Sequence, residues 1–299
     1  MLNIMKYYKA WFVVSAVIAV ACIAALVGYG LKPGIDFRGG TLTQVGFTGK
    51  APASAEVAEI LKAAGFQGAQ VQALGEKSIV IRTSPQENEE HLRLIQVLSE
   101  KYEGMTEEQF TSIGPVIGQE LKGQAAVQLI LVTLGIIFYI AYAFRKVTRP
   151  VSSWRFGTAA IVALVHDLLI VVGVFAILGH YRGVEIDSLF VTALLTVLGF
   201  SVHDTIVVFD RIRENLRVRA GQNLFEIINN SINQTLIRSI NTTLTVVFVL
   251  TALFLFGGES IRYFVLALLI GIAAGTYSSI FIASPMLYVW HQWEVSRRK

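Results

Sequence analysis

Ionisable side chains lie inside or beside the long apolar runs of this sequence, where a charge is costly. His166 and Asp167 are adjacent near the middle of the third run, and His203 and Asp204 are adjacent near the end of the fourth. Arg238 is expected to open the fifth run. A charge at the centre of a bilayer costs about 2.5 to 3.5 kcal/mol on insertion scales, so these residues are candidates for function.

Asp204 and Arg238 are predicted to approach each other across adjacent helices. Each continues a polar stripe at helical spacing, formed by Thr196, Gly199, Phe200 and His203 on the fourth helix and by Asn241, Thr242 and Thr245 on the fifth. Removal from water favours a neutral carboxyl group and a nearby guanidinium favours the carboxylate, so a pair that separates and reforms would take up and release a proton. A proton switch and a fixed ion pair that orders the bundle both stay open.

Asp167 has three interpretations. Neighbouring helices can satisfy the His166–Asp167 pair so that it serves packing alone, or Asp167 can act in a proton relay or gate. The third is metal binding by the two His and two Asp residues, and we predict no metal site. The chain has no phosphate-binding loop, dinucleotide fingerprint or His-Glu-x-x-His signature. We therefore predict no enzymatic activity and no cofactor.

The elements that must position these residues are membrane helices. Hydrophobic residues make up 54% of the 299 residues and charged residues 15%, against about 25% charged residues in soluble domains. A helix needs about 20 apolar residues to cross a bilayer. Runs of that kind cover residues 11–31, 125–144, 156–178, 189–209, 239–256 and 263–290. The predicted fold class is an α-helical membrane protein with six transmembrane helices.

Lysine and arginine residues indicate the orientation. Cytoplasmic segments carry an excess of both. With the N-terminus inside, the cytoplasmic segments hold Lys6, Lys9, Arg145, Lys146, Arg149, Arg155, Arg211, Arg213, Arg217, Arg219, Arg238, Arg297, Arg298 and Lys299. The two short external loops hold only Arg182 and Arg262. We therefore expect both termini in the cytoplasm, and we interpret the net charge of +4 as a topology signal with no nucleic-acid partner.

Residues 32–122 are predicted to form an external α+β domain, between a first helical part (1–31) and a second (123–299). Strands are expected at 41–47, 71–74, 78–83 and 110–113. One helix is expected at 54–64, with Ser54 as cap and Gly65 as stop, and a second after a Ser84 cap. The resulting β-α-β-β-α-β order is that of a ferredoxin-like domain.

Gly271 and Gly275 form a Gly-x-x-x-Gly pattern in the sixth run. Small residues at this spacing let helix backbones approach closely. The pattern is typical of tight contact within a bundle and also of a dimer face, and both interpretations stay open.

Several motifs in chain order resemble SecF proteins of the SecD/SecF family, within the resistance-nodulation-division superfamily. They are Gly34-Ile-Asp-Phe-Arg-Gly-Gly-Thr41, Ser201-Val-His-Asp-Thr-Ile-Val-Val-Phe-Asp-Arg-Ile-Arg-Glu-Asn215, Ser231-Ile-Asn-Gln-Thr235 with Arg238, Gly257-Gly258-Glu259 and Gly275-Thr-Tyr-Ser-Ser-Ile-Phe-Ile-Ala-Ser-Pro285. The resemblance implies an accessory subunit of the Sec translocase in the bacterial inner membrane. It also implies the partners SecD, the SecYEG channel, YajC, an unfolded translocating polypeptide and the proton.

The resemblance places Asp204 and Arg238 at the family's proton-coupling positions, and the charges within the apolar runs add Asp167 and His203. The motif residues Gly34, Asp36, Gly39 and Gly40 are interpreted as structural, because glycines permit a tight exit from the membrane and Asp36 can cap backbone amides. The segment from Asp210 and Arg211 to Asn215 is interpreted as a solvated helix end.

Two features depart from the family. His203 stands where SecF usually has Asn, which adds a group that titrates near neutral pH. The turn at 144–154 is longer than expected, without an assigned role. A proton-coupled small-molecule exporter of the resistance-nodulation-division type and an intramembrane hydrolase are the competing functions.

Overall fold

The computed structural model describes residues 2–145, 153–219 and 221–297. Its helices are α1 (Tyr8–Tyr29), α2 (Ile35–Arg38), α3 (Ser54–Ala63), α4 (Asn88–Lys101), α5 (Pro115–Ala143), α6 (Ser153–Arg182), α7 (Ser188–Val218), α8 (Leu224–Phe256), α9 (Arg262–Ser278) and α10 (Ser284–Arg297). Its strands are β1 (Gly40–Gly46), β2 (Gln70–Leu74), β3 (Ser78–Thr83) and β4 (Thr106–Ile113). Short 3-10 turns cover Ile4–Tyr7 and Glu259–Ile261, and a π-helical turn covers Ser279–Ala283.

Six helical segments in the described ranges are long and apolar enough to cross a membrane. They are α1 with its preceding turn, α5, α6, α7, α8, and the continuous segment that contains α9 and α10. The six predicted spans are therefore confirmed, and the chain is a multi-pass membrane protein. Most of the 144–154 turn, at residues 146–152, lies outside the described residues.

Two compact units divide the chain. The first contains the described residues of Met1–Lys32, Gln128–Val184 and Leu189–Lys299. The second contains Pro33–Val127 together with the short segment Glu185–Ser188. The predicted boundaries at 31/32 and 122/123, with the sides of the membrane assigned to each part, stay a prediction.

The fifth membrane helix is much longer than predicted. Arg238 was expected to open it, but α8 begins at Leu224 and Arg238 lies near its middle. Asn223 caps the start, because its side chain accepts a hydrogen bond from the backbone N–H of Phe225 at 3.0 Å. Ile228 and Ile232, four residues apart, pack into the core of the membrane unit. The apolar run is broken by Asn and Gln residues, but one apolar face continues at helical spacing.

The sixth membrane helix packs tightly against α7. A Cβ atom at Gly275 would lie 2.9 Å from Cβ of Ser201, and one at Gly271 would collide with the side chain of Val197. The Gly-x-x-x-Gly face is therefore occupied by a helix of the same chain, which supports the interpretation as contact within the bundle. The π-helical turn follows directly, where the Ser284 hydroxyl donates to the Ser279 carbonyl oxygen at 2.8 Å.

The second unit is a four-stranded antiparallel sheet covered by two helices. The strand order is β2-β3-β1-β4, and the chain runs β1-α3-β2-β3-α4-β4. This confirms the ferredoxin-like domain. Its core joins strand residues to helix residues: Val45, Ile79 and Ile81 with Val57, Leu61, Leu94 and Leu98.

The helix starts in this unit differ from the predicted caps. Ala53 is the N-cap of α3 and Glu87 that of α4, and neither forms a side-chain capping bond, so the predictions for Ser54 and Ser84 are wrong. Gly65 has φ of +96°, directly after the end of α3, which confirms it as the stop. The two helices are joined at one end, because the Tyr102 hydroxyl donates to Glu56 Oε1 at 2.9 Å. Burial and this carboxylate raise the pKa of Tyr102 to about 12.

We expect Gly271→Ala to lower the melting temperature of the purified protein in detergent. The added methyl group would collide with Val197 and force α9 away from α7, and overpacking of this kind costs about 1 to 3 kcal/mol. Gly135→Ala is the matched control, because no atom lies within 4 Å of the Cβ position there. Equal melting temperatures for the two variants would contradict the packing described for α7 and α9.

Candidate functional site

Asp167 lies at the junction of three membrane helices. Its side chain is 1% exposed, and Oδ2 accepts hydrogen bonds from the hydroxyls of Ser201 at 2.6 Å and Ser278 at 2.8 Å. Oδ1 lies 3.1 Å from Nδ1 of His166. Because Asp167 itself belongs to α6, its carboxylate links α6 to α7 and α9.

His166 completes this cluster and leaves one polar atom unmatched. Its Nε2 atom is buried and has no hydrogen-bond partner among the described residues. Buried polar atoms are usually paired, and an exception calls for an explanation such as a functional role or a bound water. The Asp167 carboxylate is thus well bonded, whereas the neighbouring imidazole is bonded on one side only within the described residues.

Asp204 is also buried, with 3% exposure, but its surroundings are different. Its Oδ2 atom accepts a hydrogen bond from the Thr276 hydroxyl at 2.9 Å. That hydroxyl lies 2.7 Å from the hydroxyl of Thr243. Asp204 is therefore linked through α9 to α8 by two hydroxyl groups. Within the described part of the chain, this carboxylate has fewer hydrogen-bond donors than that of Asp167.

Arg238 does not form the predicted contact. Across residues 2–145, 153–219 and 221–297 no ion pair joins Asp204 to Arg238, although Arg238 and His203 are close enough to act on the carboxylate electrostatically. Arg238 is exposed on the surface of the bundle. The interpretation as a fixed ion pair therefore does not describe this structure, and the proton switch stays a prediction.

The polar stripes of α7 and α8 are exposed. His203 lies on the outside of α7, together with Gly199 one turn earlier and Thr196 two turns earlier. On α8 the stripe residues Arg238, Asn241, Thr242 and Thr245 are exposed. Lipid tails cannot hydrogen-bond to such groups, so polar side chains at membrane depth face other helices or a water-filled cavity.

No metal-binding cluster forms from the His and Asp residues considered above. Among the described residues, no group of three or more His, Cys, Asp or Glu side chains could hold a metal ion. His203 is exposed whereas Asp167 is buried, so the two His-Asp pairs do not share a single site.

Sequence reasoning missed the hydroxyl groups that hold the two carboxylates. Ser201, Thr243, Thr276 and Ser278 were given no role. Thr276 and Ser278 belong to the 275–285 motif and are two residues apart, so that they reach different carboxylates on neighbouring helices. The available signal was the clustering of hydroxyl residues within an apolar helix, which is uncommon unless they have partners.

The glycine-rich motif makes close backbone contacts with residues far along the chain, and its structural interpretation stays a prediction. Asp36 Oδ2 accepts a hydrogen bond at 2.8 Å from the backbone N–H of Ser188, 152 residues further along the chain. The Gly34 N–H donates to the Ile186 carbonyl oxygen at 2.8 Å. Gly39 has φ of +75°, and a Cβ atom there would lie 2.9 Å from Cα of Pro115. Gly40 also has positive φ and a close neighbour, with φ of +136°.

The end of α7 is less solvated than predicted. Asp210 pairs with Arg213 at the surface, and Arg211 donates to Glu214 at 2.6 Å. Asn215 is 5% exposed, however, and its amide nitrogen donates to Ser231 on α8 at 2.8 Å. The interpretation as a solvated helix end is therefore wrong for Asn215, because a polar partner helix covers this side chain.

Comparison with known proteins assigns this chain to a family. The sequence profile described as protein export membrane protein SecD/SecF, C-terminal, matches residues 94–293, and the SecD/SecF GG motif matches residues 24–51. The chain belongs to the SecD/SecF family of protein export membrane proteins. The family's glycine motif therefore includes Asp36, Gly39 and Gly40, which make the close backbone contacts described above.

Similar proteins cover nearly the whole chain. The protein translocase subunit SecF of Thermobaculum terrenum is 47% identical, over 97% of this chain and 94% of that protein. The SecF subunit of Anaerolinea thermophila is 40% identical, over 98% and 96%. Among solved structures, the translocon-associated membrane protein SecDF from Thermus thermophilus matches with a TM-score of 0.85 and 32% identity over 97% of this chain. The chain spans 39% of that SecDF chain.

We expect Asp36→Ala to expose the amide of Ser188 at the start of α7. Loss of a capping side chain costs about 0.5 to 2 kcal/mol, and Asp36→Asn keeps an acceptor oxygen. Hydrogen exchange at Ser188 should therefore accelerate strongly in the alanine variant and only slightly in the asparagine variant. Unchanged exchange in Asp36→Ala would contradict the capping contact.

We also expect Asp167→Ala to destabilise the protein more than Asp204→Ala. The first change leaves the buried Ser201 hydroxyl and Nδ1 of His166 without their partner, whereas the Ser278 hydroxyl keeps the Gly275 carbonyl oxygen at 3.1 Å. Each orphaned group costs about 1 to 3 kcal/mol. The second change removes the acceptor of Thr276 alone. Thermal unfolding in detergent measures the order, with Asp167→Asn expected between wild type and Asp167→Ala. The reverse order for the two alanine variants would refute the different bonding of the two carboxylates.

Proposed function

We propose that this protein is the SecF-type accessory subunit of the Sec translocase, and that it uses the proton-motive force to assist a late stage of polypeptide translocation. The observation that carries the proposal is Asp204, a buried carboxylate in a membrane helix with one hydroxyl donor and a basic group on the adjacent helix. The membrane potential offers about 2.3 kcal/mol per charge per 100 mV for moving a proton. The near full-length similarity to SecF subunits supports the same function.

The coupling step would be a change in the partner of Asp204. In the structure its carboxylate is bonded to Thr276, and Arg238 carries a positive charge nearby without contacting it. If a helix movement brings Arg238 against the carboxylate, the proton leaves, and when they separate it returns. We propose that His203, which is exposed on α7, and Asp167, which is buried on α6, also take part in this route.

The partner that completes this site is SecD. Arg238, Asn241 and Thr242 are exposed on α8, and such groups need a protein partner or water at membrane depth. In the SecDF protein, which resembles this chain, the single chain is more than twice as long. We infer that SecD packs on these polar residues. SecYEG, YajC and the unfolded polypeptide are the further partners of the assembly.

The location follows from the charges. We propose that the protein lies in the bacterial inner membrane with both termini in the cytoplasm, because the flanking Lys and Arg residues favour that side. The ferredoxin-like domain at residues 32–122 is then external, where a translocating polypeptide emerges. A proton-coupled small-molecule exporter is the competing function, and it would leave secretory precursors fully processed in cells that lack the protein.

We expect Asp204→Asn to abolish the part of protein export that depends on a proton gradient. The amide keeps the hydrogen bond from Thr276 but cannot exchange a proton, so the protein should stay folded. The measurement is translocation of a secretory precursor into vesicles that contain the protein with SecD, with and without a gradient. Asp210→Asn is the control, because that carboxylate lies at the exposed end of the same helix. Wild-type gradient stimulation in Asp204→Asn would rule out the proposed coupling.

A further inference from the structure

Four polar side chains connect the C-terminal part of α7 to the N-terminal part of α8. Asn215 donates through its amide nitrogen to Ser231 Oγ and to Gln234 Oε1, both at 2.8 Å. Arg211 donates through Nε to the same Gln234 oxygen at 2.6 Å. Gln234 Oε1 therefore accepts from two residues that are one turn apart on α7. These residues have no role in the proton transfer proposed above.

These contacts define how the two helices are aligned. From Asn215 to Arg211 the partner on α8 changes from Ser231 to Gln234, so the helices are antiparallel. Seven residues before Arg211 is Asp204, and seven residues after Gln234 is Asn241. Asn241, and not Arg238, is thus level with Asp204. Arg238 lies three residues away, about 4.5 Å along the axis at 1.5 Å per residue.

An independent contact gives the same alignment. Asp204 bonds to Thr276, whose hydroxyl also contacts Thr243 of α8 at 2.7 Å. Thr243 lies two residues beyond Asn241, on the side away from Arg238. Both ends of the shared interface therefore place Arg238 about one helical turn from the level of Asp204, in keeping with the absence of an ion pair between them among the described residues.

We propose that Arg211, Asn215 and Gln234 are positioning residues that lock the register of α8 against α7 and hold Arg238 about one turn short of Asp204. The inference rests on the proposed proton coupling, in which Arg238 and Asp204 meet and separate. Ser231 lies three residues before Gln234 on the same face, so it provides Arg211 with an alternative acceptor after a slide of one turn. Interfaces of this kind move in discrete steps of one turn, because packed side chains are bistable.

The test uses Gln234, since it is exposed and accepts both bonds. Gln234→Leu removes the shared acceptor, whereas Gln234→Glu keeps it and should preserve the lock. Gln292→Leu is the matched control, because that glutamine is also exposed and bonds only to Tyr288 on α10 within the described chain. All variants are made in the full chain with SecD.

The first readout is the distance between spin labels at Val218 and Ile237, which are 76% and 71% exposed, in a Cys22→Ala background. Opening the lock so that Arg238 reaches the level of Asp204 lengthens this distance by about 5 Å, one helical turn. We expect a population at the longer distance in Gln234→Leu and none in Gln234→Glu or Gln292→Leu. An unchanged distance in Gln234→Leu would overturn the lock, whatever the function of the protein.

The second readout is gradient-driven export in vesicles. We expect Gln234→Leu to reduce it about tenfold, as for the loss of one charge-assisted hydrogen bond, and Gln234→Glu to restore it. Gln234→Leu should have no further effect in an Arg238→Ala background, since the lock acts through Arg238. A longer label distance together with undiminished export would remove the functional part of the inference. Failure of the proton proposal itself is recognised separately, by normal gradient stimulation in Asp204→Asn.

Discussion

The need to satisfy two buried carboxylates inside a membrane governs the arrangement of this bundle. A charged or polar group in an apolar interior is tolerated only with hydrogen-bonding partners. Here the donors are hydroxyls on other helices: Ser201 and Ser278 for Asp167, and Thr276 for Asp204. Helices α6, α7 and α9 must therefore come close enough for these short side chains to reach. The hydrogen bonds to the buried carboxylates therefore require the tight packing of the helices.

Glycine provides the closeness that the hydroxyls require. Serine and threonine reach little beyond their Cβ atoms, so they bridge helices only where the backbones nearly touch. Gly275 lies against Ser201, one residue before Thr276 and three before Ser278. The 275–285 motif thus combines the glycine that brings α9 onto α7 with the hydroxyls that use the contact. The π-helical turn begins immediately afterwards at Ser279, whose hydroxyl still contacts the Thr205 hydroxyl of α7 at 2.7 Å.

Local sequence patterns predicted the helices and strands, but they did not predict the contacts between these elements. The six spans, the ferredoxin-like order and the buried positions of Asp167 and Asp204 follow from composition and spacing, which each segment carries by itself. The start of α8 was misplaced because Asn229, Asn233 and Gln234 make its first turns look like a loop. Their polar atoms are used: Asn229 and Asn233 bond to the backbone near the N-terminus, and Gln234 bonds to α7. Such partners depend on which helices meet, and a single sequence does not state that.

The offset between Asp204 and Arg238 is also a property of two helices together. Residue types and depth suggested that the two charges meet, because depth in the membrane was judged separately for each helix. The register set by Arg211 and Gln234 puts Asn241 opposite Asp204 instead. A carboxylate held permanently against a guanidinium would have no occasion to exchange its proton, whereas one bonded to a hydroxyl with the cation a turn away has a second arrangement within reach. A separation of this size suits a switch better than contact would, since a packed interface can cross it in a single step.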